Sequence, residues 1–208
     1  MVVTSAQKPV VWDRSENVRW KVFTAKISGV TPLLMNNPIA MRDEGSTAKR
    51  KDREYPPEEE AKVRQYLSPE GYLALKSDHV RSCLIKAAEV GKLRYNKSAL
   101  KPRLAGGLKP IQEWFPLYRG DSYLTSFDRI DLRRVVVQGR GIIRARPLVD
   151  VPWNCEVVFL FDAATVSAAA IAQTLELGGQ IVGLLDYRPQ RGGMYGRFTV
   201  EEAYELEV

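Results

Sequence analysis

Two stretches carry apolar residues at the spacing of one helix face, with period-two alternation before, between and after them, and that order limits the folds open to this chain. Val80, Cys83, Leu84, Ala87 and Ala88 fall at i, i+3, i+4, i+7 and i+8, a single stripe that Ser77 or Asp78 would cap and Gly91 would end. Asp162 opens the second, an alanine-rich helix over 163–177 with Ala164, Ala168, Ile171, Ala172 and Leu175 along its stripe and Gly178 and Gly179 closing it. Strand signatures stand at 18–28, where Val18, Trp20 and Val22 alternate with Arg19 and Lys21, and at 133–145, 155–161 and 197–207. CEVVFLF (155–161) is a continuous apolar run, which predicts a central strand covered on both faces. In the last strand Phe198, Val200, Tyr204, Leu206 and Val208 are expected on one face, with Thr199, Glu201, Glu205 and Glu207 on the other.

The elements run β-α-β-β-α-β. This predicts an α+β, ferredoxin-like fold, an antiparallel sheet with two helices in the arrangement that RNA-recognition modules use. Residues 1–17 read as an N-terminal arm and 18–208 as a single domain, interrupted by a long charged insertion at about 42–70. RDEGSTAKRKDREYPPEEEAK is dense in both charge signs and nearly free of aliphatic side chains, so it is expected to lie in solvent, with helix over Glu58–Tyr66 at most.

Charge and missing chemistry narrow the function. Lys and Arg number 31 against 25 Asp and Glu, a formal charge of +6, while the last eight residues, EEAYELEV, hold four glutamates and no cation. The body of the chain is therefore more basic than the total, which suits an anionic partner. Cys83 and Cys155 sit in apolar surroundings without CxxC spacing and read as reduced, cytoplasmic cysteines. The start of the chain lacks a signal-peptide pattern, and no apolar run approaches the roughly 20 residues that span a bilayer. His79 is the single histidine, and P-loop, GxSxG and HExxH motifs are absent. A self-contained enzyme is the weaker reading, so no catalytic residue, metal ligand or cofactor is assigned.

Cations concentrate in three segments: 92–110, 133–146 and 183–198. Residues two apart on a strand share a face, so Arg134, Arg140, Arg144 and Arg146 are expected to form one guanidinium row beside Gln138. Such a row needs anions near it, either phosphates or carboxylates of a neighbouring strand such as Glu201 and Glu205. Gly139 and Gly141 mark a bulge or a close backbone approach. In GLLDYRPQRGGMYGRF (183–198), Arg188, Arg191 and Arg197 alternate with Tyr187 and Tyr195 on a glycine-rich backbone. That combination suits phosphate contact and base stacking, or else an ordinary turn leading into the final strand. Among the tryptophans, Trp20 reads as core, Trp12 as a candidate for stacking, and Trp114 and Trp153 as loop-edge residues beside prolines.

Three pieces together resemble the RAMP superfamily, the RRM-like backbone subunits of CRISPR effector complexes: ISGVTPLLMNNP (27–38), SDHVRSCLIKAAEVGK (77–92) and the glycine-rich basic stretch before the last strand. The chain is also similar to a phage-encoded RAMP-like group through TPLLMNN (31–37), RARP (144–147) and GLLDYRPQRGGMYGRF. The resemblance implies a subunit that coats single-stranded RNA, or single-stranded DNA, as a head-to-tail homo-oligomer or filament. In some such subunits an aspartate in the loop after the first strand cuts a paired target with a metal ion, and Asp43 lies in that region. The reading is thus a sequence-nonspecific single-stranded nucleic-acid binder without a membrane partner. Arg134, Arg140, Arg144, Arg146, Arg188, Arg191 and Arg197 would hold phosphates, and Tyr187 and Tyr195 would stack bases. The alternatives are a phage-encoded assembly protein that binds no nucleic acid, or a metal-dependent nuclease.

Overall fold

Alternation at the start of the described chain becomes β1 (Trp20–Gly29), with Phe23, Ala25 and Ile27 buried and Lys26 facing out. The computed structural model describes residues 20–38, 56–137 and 140–207. The expected arm at 1–17, Trp12, Asp43 and the first part of the charged segment lie outside the described residues. After β1 come β2 (Leu33–Leu34), α1 (Pro57–Val63), β3 (Ala74–Lys76) and α2 (Ser77–Val90). A small hairpin, β4 (Arg94–Tyr95) and β5 (Ser98–Ala99), leads to α3 (Leu100–Gly107), β6 (Leu108–Pro110), β7 (Trp114–Arg119) and β8 (Ser122–Tyr123). The second half holds β9 (Arg129–Val137), β10 (Arg140–Val149), β11 (Asn154–Asp162), α4 (Ala168–Ile181) and β12 (Phe198–Glu207). The architecture is α+β with antiparallel sheets, and four α-helices are described: the two expected from apolar stripes, α1 within the segment where a helix was allowed, and α3, which the sequence did not suggest.

The main sheet runs β12-β1-β11-β7-β3, with β6 also on β11 and β8 on β7, every pair antiparallel. Phe159 and Phe161 of β11, Val80 and Leu84 of α2, and Ile171 and Leu175 of α4 share one core. Burying each such side chain contributes about 1.5–3 kcal/mol. Against expectation, β11 is not covered on both faces: Cys155, Val157, Phe159 and Phe161 are buried, while Glu156 is exposed and Val158 and Leu160 are half-buried. Trp20 is half-buried beneath the Lys109 ammonium, 4.2 Å from its ring, and Trp153 is the core residue instead, fully buried with Nε1 donating to Thr31 O at 2.9 Å.

Three helix ends differ from the sequence reading. Ser77 is the first residue of α2 and Lys76 its N-cap, whose N–H donates to His79 Nδ1 at 3.2 Å. α4 starts at Ala168, capped by Ser167, whose Oγ accepts from Ala170 N at 3.2 Å; Asp162 instead closes a turn with Thr165 and Val166. Gly178 and Gly179 lie inside α4 and do not end it. A Cβ on Gly178 would come 2.9 Å from Cys83 Sγ of α2, and one on Gly179 would come 2.0 Å from Phe198 O of β12. Close packing, not termination, is what the two glycines serve.

The strand expected at 133–145 is a hairpin, β9 turning into β10 across 138–139, and it forms a separate sheet with β2. The later part of the charged segment is only partly in solvent: Glu58, Glu59, Lys62 and Val63 are exposed, but its other side is covered. α1 carries Pro57 in its first turn and Glu58, Glu59 and Glu60 where the helix dipole favours acids, and it packs on β10 with Ala61 and Arg64 buried. In β12 the register against β1 shifts at Glu201, so Val200 opposes Ile27 whereas Tyr204 opposes Thr24. That irregularity puts Phe198 and Val200 inward and leaves Tyr204 and Leu206 exposed on the other side, contrary to the shared face expected from period two.

Candidate nucleic-acid interface

TPLLMNN, RARP and the glycine-rich stretch, distant in sequence, meet at one place. Leu33 and Leu34 pair with Val149 and Leu148, and the loop from 183 to 197 is bonded to the same segment. Asp186 N donates to Leu34 O at 3.0 Å, Gly196 N to Pro32 O at 2.8 Å, and Arg197 N to Thr31 Oγ1 at 2.9 Å. The loop can lie this close because Gly196 has φ +73°, and a Cβ there would sit 2.1 Å from Leu184 O. Leu185 and Tyr187 also take positive φ, 60° and 51°, without being glycine. Side chains enter that region only at some cost, so the surrounding bonds must hold the loop in shape.

Acidic side chains organise the site's centre. Arg146, 5% exposed, lies between Asp186 Oδ2 at 2.5 Å and Asp131 Oδ2 at 3.4 Å, and its Nε has no hydrogen-bond partner. Asn36 Nδ2 donates to the same Asp186 oxygen at 3.2 Å. Arg144 meets Glu60 of α1 at 3.1 Å, and that carboxylate also accepts Ala145 N at 3.0 Å and Arg64 Nε at 3.1 Å. Arg133 pairs with Asp131 at 2.8 Å and donates to Tyr195 Oη at 2.9 Å. Its guanidinium sits 4.1 Å from the Tyr187 ring centre and 5.2 Å from that of Tyr195. Carboxylates of Asp131, Asp186 and Glu60 thus neutralise this row, whereas Glu205 pairs with Lys21 at 2.5 Å.

The hairpin also redistributes the expected arginine row. Register pairs Arg144 with Arg133, Arg146 with Asp131 and Ile143 with Arg134. Arg134 therefore lies on the opposite face from Arg144 and Arg146, because the turn at 138–139 reverses parity along the chain. Arg134 is exposed, and its side chain runs over Gly141, where a Cβ would come 2.5 Å from Nε; this is the close approach that glycine permits. Arg140 pairs with Val137 in the ladder, and its side chain, like Gln138 and Gly139, lies outside the described residues.

Four of the expected phosphate contacts have no carboxylate partner among the described residues. They are Arg134 on the hairpin and Arg188, Arg191 and Arg197 in the loop. Arg188 donates Nη1 to Leu185 O at 2.6 Å, and Arg197 donates Nη1 to Gln180 O, a carbonyl at the end of α4. Arg191 is exposed at the end of a short 3-10 turn, Pro189–Arg191. Tyr187 and Tyr195, expected to stack on bases, flank Arg133 with ring centres 5.7 Å apart. Tyr187 is 36% exposed, so part of it reaches solvent beside the Arg133 stack.

The third basic segment stands apart. Residues 92–99 follow the far end of α2, about 20 Å along a helix of this length from the loop packed at its start. There Lys86 and Lys101 hold Glu89 at 2.7 and 2.6 Å and draw its carboxyl down to about 2. Sequence reasoning passed over Arg133, Asp131, Asp186 and Glu60. For Asp131 and Arg133 a signal existed, since two residues apart on one strand is an ion-pair spacing. Burial pushes the Cys83 thiol up to about 12 and the Cys155 thiol higher still, and both cysteines are free. Among the described residues no group of His, Cys, Asp and Glu is placed to hold a metal, and no helix is long and apolar enough to cross a membrane.

No family model matches the sequence, and no curated protein matches it. Among solved structures, the chain is similar to one from the Type III-B Cmr-beta bound to cognate target RNA, determined by cryo-EM, with a TM-score of 0.52 and 11% identity. The match covers 91% of this chain and 61% of that one, so this chain spans about three fifths of its length. At this identity the likeness is one of fold, and it agrees with the RAMP-like architecture expected from the three motifs.

Proposed function

We propose that this chain binds single-stranded nucleic acid by its phosphates, without strong sequence preference, along the 186–197 loop and the outer face of the β9–β10 hairpin. The observation that carries the reading is the set Arg134, Arg188, Arg191 and Arg197, none held by a carboxylate among the described residues, beside the partly exposed Tyr187. Arg140, whose side chain lies outside the described residues, is added to these contacts only by its backbone place near the hairpin tip. Arg144 and Arg146 keep the role of shaping the surface, because Glu60, Asp131 and Asp186 already satisfy their charge. The similarity to a chain from an RNA-bound assembly supports the same reading. We read the fold as ferredoxin-like within a single domain, which the order β12-β1-β11-β7 with α2 and α4 in one core supports. Successive copies along one strand fit this reading.

The test is fluorescence anisotropy with labelled oligouridylate and oligothymidylate at low salt. Charge reversal at Arg191 should weaken binding about tenfold, the worth of one charge-assisted hydrogen bond. Absence of binding by the wild-type protein at low salt overturns the proposal. The internal neutralisation of Arg133, Arg144 and Arg146 favours a second reading, an assembly protein without nucleic acid. It requires oligomers that persist after nuclease treatment with an ordinary 260/280 absorbance ratio.

A further inference from the structure

A cavity of about 240 Å³ opens between the first two turns of α2 and the chain from 182 to 190. Asp78 and Ser82, one helical turn apart, form its exposed outer wall, and His79 and Cys83 form the inner one. Arg188 and Gln190 face them from the other side. Opposite charges therefore line one space from opposite walls without meeting. Asp78 makes no hydrogen bond or ion pair among the described residues. Arg188 spends Nη1 on Leu185 O and Nε on Gln190 Oε1, at 2.6 and 3.2 Å, and keeps the rest of its fork. His79 accepts a backbone N–H at Nδ1, which leaves its proton on Nε2 as a donor. Burial, with Lys76 and Arg188 nearby, lowers its pKa to about 4, so the ring is neutral near pH 7.

Size and polarity choose the guest. Sites for drug-sized ligands run to about 300–1,000 Å³, so this cavity holds one ring system and not a whole nucleotide. The ring must present donors to a carboxylate and acceptors to a guanidinium on a different edge. Guanine is the nucleobase that does both: N1–H and the 2-amino group face one way, and O6 and N7, a common arginine target, face another. Unstacked bases of a single strand are read in this manner, by their edges in a fitted pocket.

We propose that the cavity receives one splayed-out guanine, with Asp78 accepting from N1–H and the 2-amino group and Arg188 donating to O6 and N7. The proposal rests on the strand-binding reading and adds a base preference to an otherwise indifferent surface. Anisotropy should be measured with a short oligouridylate and with the same oligomer carrying one central guanosine. The guanosine probe should bind about tenfold more tightly, the discrimination expected of one good bidentate pair. Asp78→Asn should erase that difference while binding oligouridylate no more weakly than the wild type. Inosine, which lacks the 2-amino group, should fall between guanosine and uridine. Free guanosine 5′-monophosphate provides a separate arm. If oligouridylate does not bind but the mononucleotide binds the wild type and not Asp78→Asn, the strand reading fails and the cavity assignment stands. Equal binding of the two oligomers, or a guanosine preference that survives Asp78→Asn, overturns the cavity assignment and leaves the strand reading in place.

Discussion

Salt dependence separates arginines that reach phosphate from those engaged within the chain. Each phosphate neutralised on a single strand contributes a slope of about −0.7 in log K against log[salt]. If Arg134, Arg140, Arg188, Arg191 and Arg197 make one contact each, oligouridylate binding should show a slope of about −3.5. Were Arg144 and Arg146 to contribute equally, the slope would approach −5. Arg144 and Arg146 cannot add to it without leaving Glu60, Asp131 and Asp186, because a guanidinium held by a carboxylate neutralises no phosphate and so displaces none of the strand's condensed counterions. The assay is anisotropy across a series of potassium chloride concentrations, with Arg191→Gln as an internal calibration that should reduce the slope by about 0.7. A wild-type slope near −5, or an Arg146→Gln variant with native stability and a slope shallower by about 0.7, would refute the division into structural and contacting arginines.

Asp186→Asn keeps the shape but removes a charge from the nearly buried Arg146, whose other acid, Asp131, remains at 3.4 Å. Losing one member of a buried pair costs about 3–5 kcal/mol, and with Asp186 partly open and Asp131 retained a loss of about 1–2 kcal/mol is expected in urea unfolding. His79 gives stability a pH dependence: a free histidine gains its proton near 6.5, whereas the folded ring stays neutral down to about 4. Between these values the unfolded chain binds more protons, so this contribution is full above pH 6.5 and is lost as pH falls toward 4. His79→Gln should remove that slope, and parallel unfolding curves for the two proteins over the window would contradict it. Gly196→Ala and Gly192→Ala share a positive φ, +73° and +76°, but only the first drives a Cβ against backbone. Thermal unfolding should show a loss of about 1 kcal/mol for Gly192→Ala and a clearly larger one for Gly196→Ala.

Periodicity carried the core elements well. The stripe Val80, Cys83, Leu84, Ala87 and Ala88 is buried in α2, and Gly91 ends that helix as expected. It failed where a long-range contact decides. Gly178 and Gly179 look like a helix end in isolation, and only Cys83 and Phe198, distant in sequence, explain why they are interior. The run from 133 to 146 has an unbroken alternating pattern because both arms of a two-residue hairpin keep period two while the turn inverts their faces. The helix allowed over Glu58–Tyr66 forms as α1, but its packing was hidden for a similar reason: Glu60 anchors it to β10 through Arg144 and Ala145 N, contacts that a hydrophobicity pattern does not register. Convergence of TPLLMNN, RARP and the terminal glycine-rich stretch was legible only as a shared resemblance. Its physical content is the Asn36–Asp186–Arg146 bonding that joins one residue of each.

α4 meets its neighbours through bare backbone at Gly178 and Gly179, so no side chain is available there to flex and absorb a misfit. The segment that walls the cavity and bears Arg188 springs directly from this helix, which makes the two glycines a gauge for the gap to α2. A single methyl group at 178 would press on Cys83 and spread the opposing walls, changing what fits between them while both walls keep every residue they have. Ligand choice in a scaffold of this kind is adjustable from behind the pocket, at positions no ligand touches.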